Sequence, residues 1–324
     1  MNNKRIAVIF AGQPRTFRHC YKSHLEFFKF DGYEFDYFIH AWSDQWWSPK
    51  THSEHTVTNA LIENPDGLKD ELIKIYNPKA ICIEKQIDCE GLIGDVEALI
   101  RLQKATKSQM WHNKNKSYTH GAWGRNHGVG RWLDGIHAGQ IYSWQQATNL
   151  KIDYEKENNI QYDAVIKFRL DNILDFHNEK KKQNIWDNIC NHLRGGFIDR
   201  KKGMDKKFER LFFQWQHLQP TGHWTVGDMI FGGPTESFDK LMKDIYTFLI
   251  RQYCSVFGHP DGHWKHAGPP ETILAKKLQH ESIPTHDIGV SQIPYREYHI
   301  ELEDQSYKNL SMARQQADEG RVKK

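Results

Sequence analysis

The chain has 324 residues and a mass of 38.2 kDa, with 26% charged and 38% hydrophobic residues and a mean hydropathy of -0.76. No apolar run approaches the roughly 18 residues of a membrane-spanning helix, and a short basic start followed by only six apolar residues is no secretory leader, so a cytoplasmic protein is expected. A formal net charge of +3 does not by itself imply a polyanionic partner, and five scattered cysteines without a Cys-x-x-Cys pair indicate neither a disulfide framework nor a zinc knuckle.

The opening "KRIAVIFAGQPR" reads as a buried strand over residues 6–11 running into a Gly-Gln-Pro-Arg turn. A helix follows, with Phe17, Tyr21, Leu25 and Phe28 on one face. "YEFDYFIHAWSD" predicts a second strand ending in a polar and aromatic loop. "LKDELIKIYNPKAICIEKQ" predicts a helix stopped before Pro78 and a third strand over 80–84. Residues 105–135 are polar and rich in Gly and Trp, either a mobile substrate-facing loop or an insertion.

"IHAGQIYSWQQATNLKIDYEKENN" sets Ile141, Trp144, Ala147 and Leu150 at helical spacing. Next, "YDAVIKFRLDNIL" opens as a strand covered on both faces and ends in Arg169, Asp171 and Asn172. Two basic segments, 179–184 and 199–210, read as a solvated face or as phosphate contacts. "WTVGDMIFGGPTESFDKLMKDIYTFLIRQY" predicts a strand over 228–231, a Gly-Gly-Pro turn and a long amphipathic helix from about residue 235. "PPETILAKKLQHESI" is a Pro-started helix with Glu271 in its first turn, before a last short strand. Residues 303–324 are highly charged and predict a disordered tail behind a single large domain, 1–302. This alternation predicts an α/β fold, a mostly parallel sheet flanked by helices, with ligands bound beyond the strand C-terminal ends.

No phosphate-binding Gly-x-x-x-x-Gly-Lys loop, Gly-x-Gly-x-x-Gly turn or Gly-x-Ser-x-Gly elbow is present. What gathers at strand ends is Gly12, Gln13 and Arg15 after the first strand, His40, Trp42 and Asp44 after the second, Arg169 and Asp171 after the central one, and Asp228 near the next. A guanidinium there suits a diphosphate, and a carboxylate suits a divalent metal or ribose hydroxyls. Each residue also has a structural reading. Arg15 could cap a helix, Arg169 and Asp171 could form an ion pair, Asp228 could accept turn donors, and Glu271 could answer a helix dipole. His40, His286 and His299 could be metal ligands or satisfied structural groups. Gln140 and Ser143, on the helix before the central strand, are within reach of a nucleotide.

Taken in order, "GQPRTF", "FIHAW", "QIYSWQQATNLK", "YDAVIKFRLD", "GDMIFGG" and "PETIL" resemble the pattern of small GT-A-like glycosyltransferases of bacterial surface-polysaccharide loci, phages and giant viruses. The resemblance runs from Ile6 to about Leu278. It implies a GT-A-like (Rossmann-like) sheet binding a nucleotide diphosphate sugar. The donor set would be Gly12, Gln13, Arg15, His40, Gln140, Ser143, Arg169 and Asp171. Glu271, then Asp228, would be the catalytic base.

The chain contains no Asp-x-Asp, the usual holder of metal and diphosphate in that family. Two ways of neutralising the departing diphosphate stand open: Mn²⁺ or Mg²⁺ on Asp171, or Arg169, Arg15 and nearby lysines alone. The acceptor implied is a glycan or lipid-linked saccharide. Two alternatives are a hydroxylated base in phage-type DNA, which the basic middle and Trp-rich loops would suit, and a non-catalytic nucleotide- or carbohydrate-binding protein of the same fold.

Overall fold

The computed structural model describes residues 4–14, 17–43, 67–85, 136–174, 210–214, 216–218, 224–249, 270–287 and 292–294. Arg15, Asp44, the segment 105–135, the basic stretches 179–184 and 199–209, His299 and the tail 303–324 lie outside the described residues.

In chain order the elements are β1 (Lys4–Gly12), α1 (Phe17–Phe27), β2 (Tyr33–Trp42), α2 (Leu68–Tyr76), β3 (Ala80–Glu84), α3 (Ile136–Asn158), β4 (Ala164–Phe168), β5 (Asn172–Leu174), β6 (Leu211–Phe213), β7 (Gln216–Leu218), β8 (Trp224–Val226), β9 (Phe231–Pro234), α4 (Thr235–Met242), α5 (Pro270–His280), β10 (Thr285–Asp287) and β11 (Gln292–Pro294). Seven strands form one sheet in the order β10-β6-β9-β4-β1-β2-β3. β1 runs parallel to β2 and β4, β2 to β3, and β10 to β6, whereas β9 is antiparallel to both β4 and β6. The protein is therefore α/β with a mixed, mostly parallel sheet. Among the described residues, no helix is long and apolar enough to cross a membrane.

The two-residue period of β1 divides the core. Ile6, Val8 and Phe10 face α1 and α2, meeting Phe17, Phe27, Leu68, Leu72 and Tyr76. Ala7, Ile9 and Ala11 face the other layer, meeting Ile141 and Trp144 of α3, Phe238 of α4 and Ile273 of α5. β4 is the middle strand of the seven, and all five of its residues are buried, which is why its sequence is an apolar run rather than an alternation.

The strand expected over 228–231 starts only at Phe231, with 228–230 forming a bend, and the Gly-Gly-Pro expected as a turn is the strand itself. Packing explains the difference. A Cβ on Gly232 would lie 2.2 Å from the Val165 carbonyl oxygen, and one on Gly233 2.9 Å from that of Arg210, so only glycines let β9 slot between β4 and β6. Because β9 is reversed, its beginning, not its end, meets the C-terminal edge of β4. The helix expected from residue 235 spans Thr235–Met242 and resumes over 245–249.

Candidate functional site

β4 ends by changing from apolar to ionic chemistry within a few residues. Arg169 Nε and Nη2 donate to the two Asp171 carboxylate oxygens at 2.8 and 2.9 Å. Asp171 is buried, while Arg169 keeps 19% of its side chain exposed. Burial works against the guanidinium charge, but Asp171, by charge and hydrogen bond, and then Asp228 and Glu271, outweigh it and hold Arg169 above the ordinary arginine value. The fork fixes the guanidinium plane and leaves the Nη1 edge outside it.

One residue earlier in the inward alternation, Lys167 is fully buried. Its Nζ donates to the Asp228 backbone carbonyl and lies 4.6 Å from the Trp144 ring centroid and 5.4 Å from that of Phe231. The comparison with Lys151, also fully buried, is instructive. Lys151 Nζ meets both Asp239 oxygens, at 2.9 and 2.7 Å, and Glu155 at 2.9 Å. Lys167 has a carbonyl and two aromatic faces instead, and burial pushes it down to about 7, against the pull of Asp228.

The bend before β9 closes the cluster. The Asp228 carboxylate accepts a hydrogen bond from Gln140 Nε2 of α3. Gln214 fixes the bend from beneath, its Oε1 accepting from the Met229 and Ile230 N–H groups at 3.1 and 3.0 Å. Glu271, in the first turn of α5, senses Asp228, Arg169 and Lys167. Burial first, and the Asp228 charge second, push its carboxyl well above the usual carboxylate range. Glu271 Oε2 is buried and has no hydrogen-bond partner among the described residues. A buried carboxylate oxygen left unpaired costs about 1–3 kcal/mol or more, and such groups recur at functional sites.

Of the residues expected in the site, the structure brings Arg169, Asp171, Asp228, Glu271 and Gln140 together. His40 and Ser143 form a separate group. His40 is buried, its Nδ1 2.8 Å from Ser143 Oγ and its Nε2 2.9 Å from Glu84 Oε1. Burial lowers the His40 pKa, with Glu84 opposing. Gly12 ends β1 at φ 114°, a conformation that favours glycine, and a Cβ there would meet nothing within 4 Å. Gln13 follows it, half-buried.

Both oxygens of Asp171, the residue expected to hold Mn²⁺ or Mg²⁺, accept from the Arg169 fork. Among the described residues, the group that gathers three metal-ligating side chains is His40, Cys82 and Glu84. Lys167, Cys82 and Glu84 were not anticipated. Their signals were a lone lysine in "AVIKF", and Cys82 and Glu84 two apart on a strand paired with "HAW".

No protein-family model matches the chain, and no curated protein matches it. Among solved structures it is similar to the nucleoside-diphosphate-sugar pyrophosphorylase from Vibrio cholerae RC9, at 10% identity and a TM-score of 0.31, over 87% of this chain and 90% of that one. It is also similar to mouse xyloside xylosyltransferase 1 in its apo form, at 10% identity and a TM-score of 0.34, over 89% of this chain and 85% of that one. Both likenesses are too distant to bear on residue roles, which rest on the geometry of the site.

Proposed function

We propose that the chain is a glycosyltransferase that moves a sugar from a nucleotide diphosphate donor to an acceptor hydroxyl, in keeping with the GT-A-like motif order of its sequence. The observation that carries this reading is the buried Oε2 of Glu271, without a hydrogen-bond partner among the described residues and set beside Asp228 and the Arg169 guanidinium near the C-terminal edge of the central strand. A base needs an oxygen free to take a proton, and a departing diphosphate needs fixed positive charge; the cluster offers both within one strand end.

In this reading the exposed part of Arg169, oriented by Asp171, takes the diphosphate. Glu271 removes the acceptor proton as the hydroxyl oxygen attacks the anomeric carbon, and the bond to the diphosphate breaks with its electron pair leaving on the phosphate. Asp228 positions Gln140 and raises Glu271 as a base. Lys167 adds charge from beneath when protonated. The acceptor we favour is a saccharide hydroxyl.

The test is a thermal-shift screen of the purified chain with UDP, GDP, CMP, ADP and dTDP and their sugars, followed by nucleotide-release assays on the wild type and Glu271→Gln. A ligand that binds the folded state alone raises the melting temperature by mass action. One base family raising it, with release lost in Glu271→Gln, supports transfer. Binding without release by the wild type, under every acceptor tried, would make the protein a nucleotide-sugar binder. No shift with any ligand would overturn the donor site.

A further inference from the structure

Across β1 from the Arg169 cluster, β2 and β3 carry a second group of ionisable side chains beneath the same helix. The parallel register sets His40 beside Cys82 and Trp42 beside Glu84. One ligand atom from each of His40, Cys82 and Glu84 lies within 4.8 Å of the other two.

The hydrogen bonds of His40 decide what its ring can do. Ser143 Oγ lies 2.8 Å from Nδ1 and 3.3 Å from the His40 carbonyl, and its one proton can serve only one of them. With Ser143 as the acceptor, hydrogen sits on Nδ1 and Nε2 keeps its lone pair, which is the tautomer a metal ligand needs. That lone pair faces Glu84 Oε1 at 2.9 Å. In the other tautomer Nε2–H donates to this carboxylate; in this one a cation beside the two acceptors takes the place of that proton. The neighbouring Cys82 sulfur has no part in a proton bridge, but it completes a nitrogen, sulfur and oxygen donor set that suits a borderline-soft divalent ion. Metal-binding histidines characteristically hold the other ring nitrogen in an outer hydrogen bond, the place Ser143 takes. Tyr142 hydrogen-bonds Glu84 and stacks on Trp42 at 5.8 Å between ring centroids, which holds the carboxylate in place.

We propose that His40 Nε2, Cys82 Sγ and the Glu84 carboxylate form a binding site for a zinc-class divalent cation, distinct from the transfer site and independent of that reading. Binding replaces the Cys82 S–H bond with a sulfur–metal bond and releases the proton to solvent. The ion ties the edge strand β3 to β2.

The test uses the full-length protein, stripped with a chelator and titrated with Co²⁺ alone, then with Zn²⁺. The expected result is about one equivalent bound per chain, with a thiolate-to-cobalt charge-transfer band that Zn²⁺ abolishes. Cys82→Ala should lose that band. Glu84→Gln, at a half-buried and more forgiving position, should keep the band but bind roughly 10-fold more weakly. A wild-type titration without the band, or a band of equal strength in Cys82→Ala, overturns the proposal: the first leaves a proton-bridged His–Glu pair, and the second puts the metal on another cysteine.

Discussion

Gln140 and Asp228 stand 88 residues apart in sequence and are joined by a side-chain hydrogen bond, while the Asp228 backbone carbonyl receives Lys167. One aspartate thus ties α3, the bend before β9, and β4. Its charge also raises Glu271. Asp228→Asn keeps the backbone carbonyl for Lys167 and one side-chain oxygen for Gln140, removes the charge, and puts an amide N–H₂ in place of the other oxygen. The alkaline-side rise in turnover that tracks Glu271 deprotonation is therefore expected to shift to lower pH, as read from kcat against pH. An unshifted profile would detach Glu271 from Asp228.

Glu271→Gln is expected to lose roughly 10²- to 10⁴-fold in kcat while donor affinity stays near that of the wild type. Stability should move the other way. The folded-state pKa lies above the model-peptide value of 4.5, so the contribution of Glu271 is fully present below that value and is lost as pH rises through the folded pKa. The variant, having no proton to lose, should therefore gain on the wild type in melting temperature as pH rises. Parallel melting curves at all pH values would contradict this.

Arg169→Lys keeps a positive charge and loses the planar fork. Nucleoside diphosphate affinity, measured calorimetrically, is expected to fall roughly 10- to 100-fold. Arg169→Ala is a poorer probe, because it takes the bidentate partner from the buried Asp171 carboxylate and should cost about 3–5 kcal/mol of stability.

His24 is fully buried and bridges α1 to two other elements, with Nδ1 2.8 Å from the Tyr76 hydroxyl and Nε2 2.6 Å from the Asn172 carbonyl. Burial pushes it down to about 4, below the ordinary imidazole value of 6.5. Between those values the unfolded chain binds the proton and the folded chain does not. Stability held above pH 6.5 is therefore lost as pH falls towards 4, by up to roughly 3 kcal/mol. Urea midpoints across that range should show the fall in the wild type, and His24→Gln should lack it.

Two glycines separate steric from conformational cost. Gly232→Ala meets backbone, 2.2 Å from the Val165 oxygen, and is expected to cost roughly 3 kcal/mol or more. Gly12→Ala meets open space and bears only its φ of 114°, roughly 1–3 kcal/mol. Equal melting temperatures for the two variants would remove the close approach of β9 to β4 as a structural constraint.

β1 to β4 were legible because each is a short apolar segment bounded by turn residues, and local pattern governs such strands. The reversal of β9 was not. It depends on contacts of Gly232 and Gly233 with Val165 and Arg210, which no local window contains. The same limit applied to the site. Arg169 and Asp171 announced themselves by charge at the end of an apolar run. Lys167 was hidden inside that run, where a lone lysine reads as structure until its partners are known. The split of His40 and Ser143 away from Gln140 came from where β3 placed Glu84, a pairing set by register rather than composition.

The reversed β9 also sets the order in which the chemistry is completed during synthesis. Lys167 and Arg169 emerge with the central strand, 61 residues before Asp228 is made in the case of Lys167, and Glu271 follows later still. A growing chain extended just past β4 carries both cations and Asp171 but neither Asp228 nor Glu271. Only after β9 has been inserted on the far side of β4 and α5 has been made does Glu271, the proposed base, reach them. Transfer activity would then mark a chain translated at least through α5, and a fragment stopped before Glu271 would be inert even if its first half were folded.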